Sequence, residues 1–169
     1  MGIRQLNGTY IPAEDRIVLR VSTDAGEEFR FWLTRPVTTQ LLGSIRTLAA
    51  RSTAQKFPPQ VAQTVTEFEQ QALQQQTRLD DEFVPGATFP LGEMPALVIK
   101  QGLTQVEGGV SLDLGLPNGA NVNLRFAQQL CQQVGVLLDR LQQNAHWLIA
   151  PAAAAETPPA ESGDIKHIH

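Results

Sequence analysis

The sequence predicts an α+β protein: an antiparallel sheet built from two β-hairpin–helix units, packed on one face by about three helices, with a flexible C-terminal tail. Three observations carry this. Two stretches alternate apolar and polar residues with period two, each around a glycine-containing turn, and each runs into an apolar stripe of helical spacing.

In IVLRVSTDAGEEFRFWL, residues 17–33, Ile17, Leu19 and Val21 alternate on one side, and Phe29, Phe31 and Leu33 on the other. Asp24-Ala25-Gly26 suits a type I turn closed by a left-handed glycine. That loop makes paired residue numbers sum to 50, with Val21 opposite Phe29, Leu19 opposite Phe31 and Ile17 opposite Leu33. A one-residue slip would destroy the apolar face, so the pattern fixes the register. Thr34 is placed as N-cap and Pro36 in the first helical turn. Val37, Leu41, Ile45 and Leu48 then form a helical stripe, widened by Leu42 and Ala49.

The same layout returns 93 positions later without a gap. Val110, Leu112 and Leu114 face Val122, Leu124 and Phe126 around Pro117-Asn118-Gly119, and Leu130, Val134, Leu138 and Leu141 follow as a helix. Identities between the units are few, so the sequence implies a similar backbone more firmly than an internal repeat by duplication.

Residues 1–149 are expected to form one domain: a hairpin–helix unit over 17–54, a helix and apolar loop over 58–95, and strands with the second unit over 96–149. Pro58-Pro59 can open the middle helix, whose stripe is Val61, Val65, Phe68, Ala72 and Leu79, ending near Arg78 or Leu79 before Asp80-Asp81-Glu82. FVPGATFPLGEMP, 83–95, is a Pro/Gly loop rich enough in apolar residues to pack over the core, or to serve as a lid. Residues 96–106 can add one or two strands with Leu97 and Ile99 on one face, and the last helix is expected from Ala127 to Leu148. The tail, 150–169, is small, proline-broken and expected to be flexible, with IKHIH as its end.

Composition excludes several functions. A net charge of −4 and only three lysines give no basic field for nucleic acid. The single Cys131 forbids an intrachain disulfide and a cysteine zinc site. On one helix Cys131 and His146 would stand about 22 Å apart, too far for a thiol–imidazole pair. No phosphate loop, dinucleotide fingerprint or nucleophile elbow is present, so neither a cofactor nor a catalytic or metal-binding residue is assigned. No signal peptide or membrane-length apolar run is visible, and a cytoplasmic protein is expected.

The remaining lead is a basic face. The hairpin register puts Arg20 opposite Arg30 and Val18 opposite Trp32, away from the apolar side, and Arg16 continues the row. Like charges directly opposite repel, so Glu28, Glu14 or Asp15 should neutralise them, unless a partner does. Arg16, Arg20, Arg30 and Trp32 form the candidate binding patch, with the composition of an interface hot spot and guanidinium forks suited to anions. At the corresponding second-unit positions stand Asp113 and Asn123, so a basic face could meet an acidic one in a homodimer.

LNGTYIPAEDRI (6–17) followed by EFRFWLTRPVT (28–38) resembles the opening of a group of uncharacterised small bacterial proteins. The resemblance implies a bacterial source and no activity. The expected function is a non-catalytic protein-interaction or assembly module that self-associates through the Arg/Trp face. The alternative is an anionic small-molecule-binding protein or small hydrolase with 83–95 as its lid.

Overall fold

The computed structural model describes residues 2–76 and 82–147. The expected helix end near 78–79 and the expected flexible tail lie outside the described residues. The class is α+β: strands β1 (Ile3–Ile11), β2 (Arg16–Thr23), β3 (Glu28–Leu33) and β4 (Ala96–Leu97) form one sheet, and β5 (Lys100–Val106), β6 (Gly109–Gly115) and β7 (Asn121–Phe126) a second. Helices α1 (Arg35–Lys56), α2 (Pro59–Gln76) and α3 (Gln128–Asn144) complete the described elements. The strands thus divide between two sheets rather than sharing one. β4 is also parallel to its neighbour β3, through Phe31–Ala96 and Trp32–Leu97.

Both hairpins pair as their alternation requires. Val21 faces Phe29, Leu19 faces Phe31 and Ile17 faces Leu33. In the second sheet Val110 faces Phe126, Leu112 faces Leu124 and Leu114 faces Val122. The turns close with glycine in the left-handed region, Gly26 at φ +77° and Gly119 at φ +82°, where a side chain would be strained. Thr34 stands at the N-cap of α1 with extended backbone, but its hydroxyl makes no capping bond.

Strand β1 is an addition to the sequence reading. It pairs with β2 through Leu6–Val21 and Tyr10–Ile17, with Gly8 opposite Leu19. A Cβ on Gly8 would stand 2.5 Å from Leu141 Cδ1 and 3.3 Å from Leu137 Cδ2, so the glycine lets α3 lie close upon the strand. Each half is therefore three antiparallel strands followed by a helix, and the helices are exchanged. α3 packs on β1 of the first sheet, and α1 packs on β5 of the second, where Gln101 Nε2 donates to Ser44 Oγ at 3.2 Å.

Where α1 meets α3, Arg46 Nη2 donates to Asp139 Oδ1 at 2.7 Å. These two residues are themselves 93 positions apart, so equivalent points of the two helices meet where they cross. One core runs through both halves, from Ile17, Leu19 and Phe31 through Leu41, Leu42 and Ile45 to Leu112, Leu124, Val134 and Leu138.

Three local readings differ from expectation. Val98, not Leu97 with Ile99, is the buried residue before β5, and Ile99 is 57% exposed, because the chain passes there from one sheet to the other. In α2 the apolar stripe packs only in part: Val61 is exposed and Phe68 is 72% exposed, Val65 and Ala72 are half-buried, and Ala62, off the stripe, is buried.

α3 ends at Asn144, short of Leu148, in a left-handed cap at His146, φ +53°. His146 N–H reaches Gln143 O and Trp147 N–H reaches Gln142 O, both at 3.0 Å, the paired bonds of a Schellman turn. That turn swings Trp147 back into the protein, where it is 2% exposed.

Candidate functional site

The pleat of β2 and β3 puts Arg20, Arg30 and Glu28 on the face turned away from the core, and Arg20 lies directly opposite Arg30. Glu28 resolves the repulsion. Its Oε1 accepts from Arg20 Nε at 2.8 Å and from Arg30 Nε at 2.7 Å, and its Oε2 accepts from Gly86 N–H at 2.9 Å. Glu28 is 0% exposed. Burial works to raise its carboxyl pKa, but the two guanidinium bonds and the Gly86 N–H outweigh it and bring the group down to about 2.

The cover over this cluster is the segment 83–98, a strap laid along β3. Phe83 lies 4.1 Å from the Arg20 guanidinium carbon and Phe89 4.6 Å from that of Arg30. Arg30 Nη1 also donates to Glu93 O at 2.9 Å. Backbone bonds continue the attachment: Ala87 N–H to Gly26 O at 2.7 Å, Glu28 N–H to Thr88 O at 2.8 Å and Val98 N–H to Trp32 O at 3.0 Å. Gln5 of β1 holds the strap's start, donating to Glu82 O and accepting from Val84 N–H. The apolar loop therefore packs mainly on arginines of the outer face, although Leu91 does rest against the core.

Gly86 sets the approach of strap to sheet. A Cβ there would stand 2.7 Å from both Glu28 Cβ and Glu28 N, which are backbone-fixed neighbours. Gly86→Ala is expected to cost about 1–3 kcal/mol and to speed hydrogen exchange at Glu28 N–H; unchanged stability and exchange would mean the strap does not press on Glu28.

Arg16 and Trp32, the other half of the expected patch, lie beyond the strap's aromatic contacts. The Arg16 guanidinium sits 5.8 Å from the Trp32 ring centroid, and its nearest carboxylate is Glu14 at 3.9 Å. Val18, Trp32 and Leu97 are lateral neighbours across three strands and all are half-buried. The four residues of the expected patch thus share one face but fall into two environments, one strapped and one partly open.

A second polar–aromatic knot joins the end of the described chain to β1. Asp15 Oδ1 accepts from Trp147 Nε1 at 2.7 Å and from Tyr10 OH at 2.9 Å, and its Oδ2 faces Arg35 Nη2 at 3.4 Å. Tyr10 and Trp147 meet edge to face at 5.7 Å, and Arg35 stacks on Trp147 at 5.4 Å. The bonds from Trp147 and then Tyr10 lower the Asp15 pKa, while the bond to Asp15 raises that of Tyr10. The expected helix runs straight through Trp147, so the sequence reading misses this group, although Asp15 is named there as a partner for arginine.

The second unit carries the outer-face motif with its polarity reversed. Asp113, at the place of Arg20, accepts from Asn123 Nδ2 at 2.7 Å and from Asn121 Nδ2 at 3.1 Å, which stand at the places of Arg30 and Glu28. Among the described residues no strap lies over it, and Asn121, Asn123 and Arg125 are exposed.

Among the described residues no group of three or more His, Cys, Asp or Glu could hold a metal ion. Cys131 is buried and its thiol pKa is pushed up to about 11 by desolvation, which keeps it protonated and unreactive at neutral pH. No described helix is long and apolar enough to cross a membrane. Compared with protein-family models, curated proteins and solved structures, the chain matches none.

Proposed function

We propose that the chain is a non-catalytic protein-interaction or assembly module, and that the open half of its Arg/Trp face is where a partner protein docks. The observation that carries this is the lateral row Val18–Trp32–Leu97 with Arg16 stacked above Trp32. A half-exposed tryptophan flanked by aliphatic neighbours and an arginine supplies both the apolar anchor and the charged rim of an interface centre. Val84, Met94 and Ile99, on the strap and just after it, add exposed apolar surface, with Met94 at 78%.

The geometry favours this over the lid-and-ligand alternative. A ligand beneath 83–95 would need the space taken by Phe83, Phe89 and Gly86, and the Nε donors of both arginines already serve Glu28.

The test is affinity capture with the N-terminally tagged chain, beside an Arg16→Ala/Trp32→Ala variant whose fold is checked by circular dichroism. A stoichiometric protein, retained by the wild type and lost by the variant, is the expected result. A partner held equally by both would remove this face from consideration. Arg20 and Arg30 are unsuitable probes, because they hold the strap.

A further inference from the structure

The two halves treat the outer edge of their third strand differently. In β3, Thr23 N–H donates to Glu27 O at 2.9 Å, so residues in phase with Glu27 bond toward β2 and the alternate ones, Glu28, Arg30 and Trp32, point their backbone groups outward. The strap takes them: Thr88 O receives Glu28 N–H and Val98 N–H reaches Trp32 O. In β7, Leu116 N–H donates to Ala120 O at 2.9 Å, which by the same alternation turns the backbone groups of Asn121, Asn123 and Arg125 outward. These three are the counterparts of Glu28, Arg30 and Trp32, 93 positions on. Among the described residues no strand lies against them.

β7 also carries few of the devices that keep an edge single: it has no proline, no break in its pairing with β6 and no inward charge, and its one charged residue is the exposed Arg125. The other edges carry more: β1 has a register irregularity between Ile3 and Gln5, β4 is only two residues long, and β5 opens with the exposed Lys100.

We propose that a second copy of this chain adds its β7 to this edge, antiparallel about a two-fold axis, joining the two three-stranded sheets into one. This rests on the reading of the chain as an assembly module but uses a surface separate from the Trp32 face. The sequence of β7 is complementary to itself when Asn123 is set opposite Asn123. Asn121 then meets Arg125, and Val122 meets Leu124, so polar lies on polar, apolar on apolar, and no like charges coincide. This register also opposes outward-pointing residues to one another, as hydrogen-bonded pairs require. Because the Asn121 and Asn123 amide nitrogens are committed to Asp113, their carbonyl oxygens remain to accept, and the partner's Arg125 is a donor for Asn121.

Sedimentation velocity of the full chain at tens of micromolar tests this. The wild type and Asn123→Ala, which keeps the outward N–H, are expected to be dimers, and Asn123→Pro, which lacks it, a folded monomer. Asn121→Arg sets a guanidinium opposite the partner's Arg125 and should raise Kd by about tenfold, and adding Arg125→Asn should restore it. This pair keeps the test decisive should the proline variant not fold. A monomeric wild type overturns the proposal, whether the edge is then open or covered by residues 148–169. So does an Asn121→Arg variant that dimerises as tightly as the wild type. If the dimer is lost only in Arg16→Ala/Trp32→Ala, the edge proposal falls and the Trp32 face stands as the self-association surface.

Discussion

Arg20→Ala/Arg30→Ala is expected to destabilise the protein by about 3–5 kcal/mol, because it strands a buried carboxylate. Glu28 is fully enclosed, and with both arginines gone only the Gly86 N–H would remain to it. Either single substitution should cost less, since the other guanidinium still reaches the same Oε1. Replacing all three residues by leucine should recover much of the loss, as it removes the charge together with its partners.

The same cluster predicts an acid sensitivity. The folded-state pKa of Glu28, about 2, lies below the ordinary glutamate value, so the unfolded chain binds more protons in the acid range. Its contribution is therefore complete above the unfolded pKa of about 4.5 and disappears as pH falls toward 2, on the order of 3 kcal/mol in all. Urea titrations at pH 7, 4 and 3 should show this loss in the wild type and its absence in Arg20→Ala/Arg30→Ala. Parallel pH profiles for the two proteins would show that Glu28 is not held by these arginines.

Trp147→Ala should be of similar size, about 3–5 kcal/mol, from the loss of a large buried side chain. Trp147 is 2% exposed, meets Tyr10 edge to face, lies under the Arg35 guanidinium, and donates to Asp15. Trp147→Phe separates the two contributions: it keeps most of the ring but not the donor, and should cost about 1–3 kcal/mol. Thermal unfolding checks both. If Trp147→Ala unfolds with the wild type, the knot at Asp15 is not part of the folded core.

The hairpins were legible because alternation and turn chemistry are local and agree with each other. Glu28 was also readable as the answer to Arg20 and Arg30, since it lies two residues from Arg30 and so on the same side of the strand. β1 was hidden by Gly8, which occupies an inward place where alternation calls for an apolar side chain. Leu137 and Leu141, far along the chain, fill that place instead. The division into two sheets depends on β4, whose pairing with β3 is parallel and nonlocal. Nothing in Phe83 or Phe89 marks a guanidinium rather than a core as its partner, and nothing before His146 marks the left-handed turn that buries Trp147.

The exchange of helices between the halves bears on how the protein is made. β1 ends at Ile11, while the helix that covers it begins at Gln128. At about 5–20 residues per second, ribosomal synthesis leaves the inner side of β1 without that cover for roughly ten seconds. The first half can pair its strands as it emerges but cannot finish its core. Completion waits for the turn that follows α3, when Trp147 reaches Asp15 and joins the newest part of the described chain to one of the oldest.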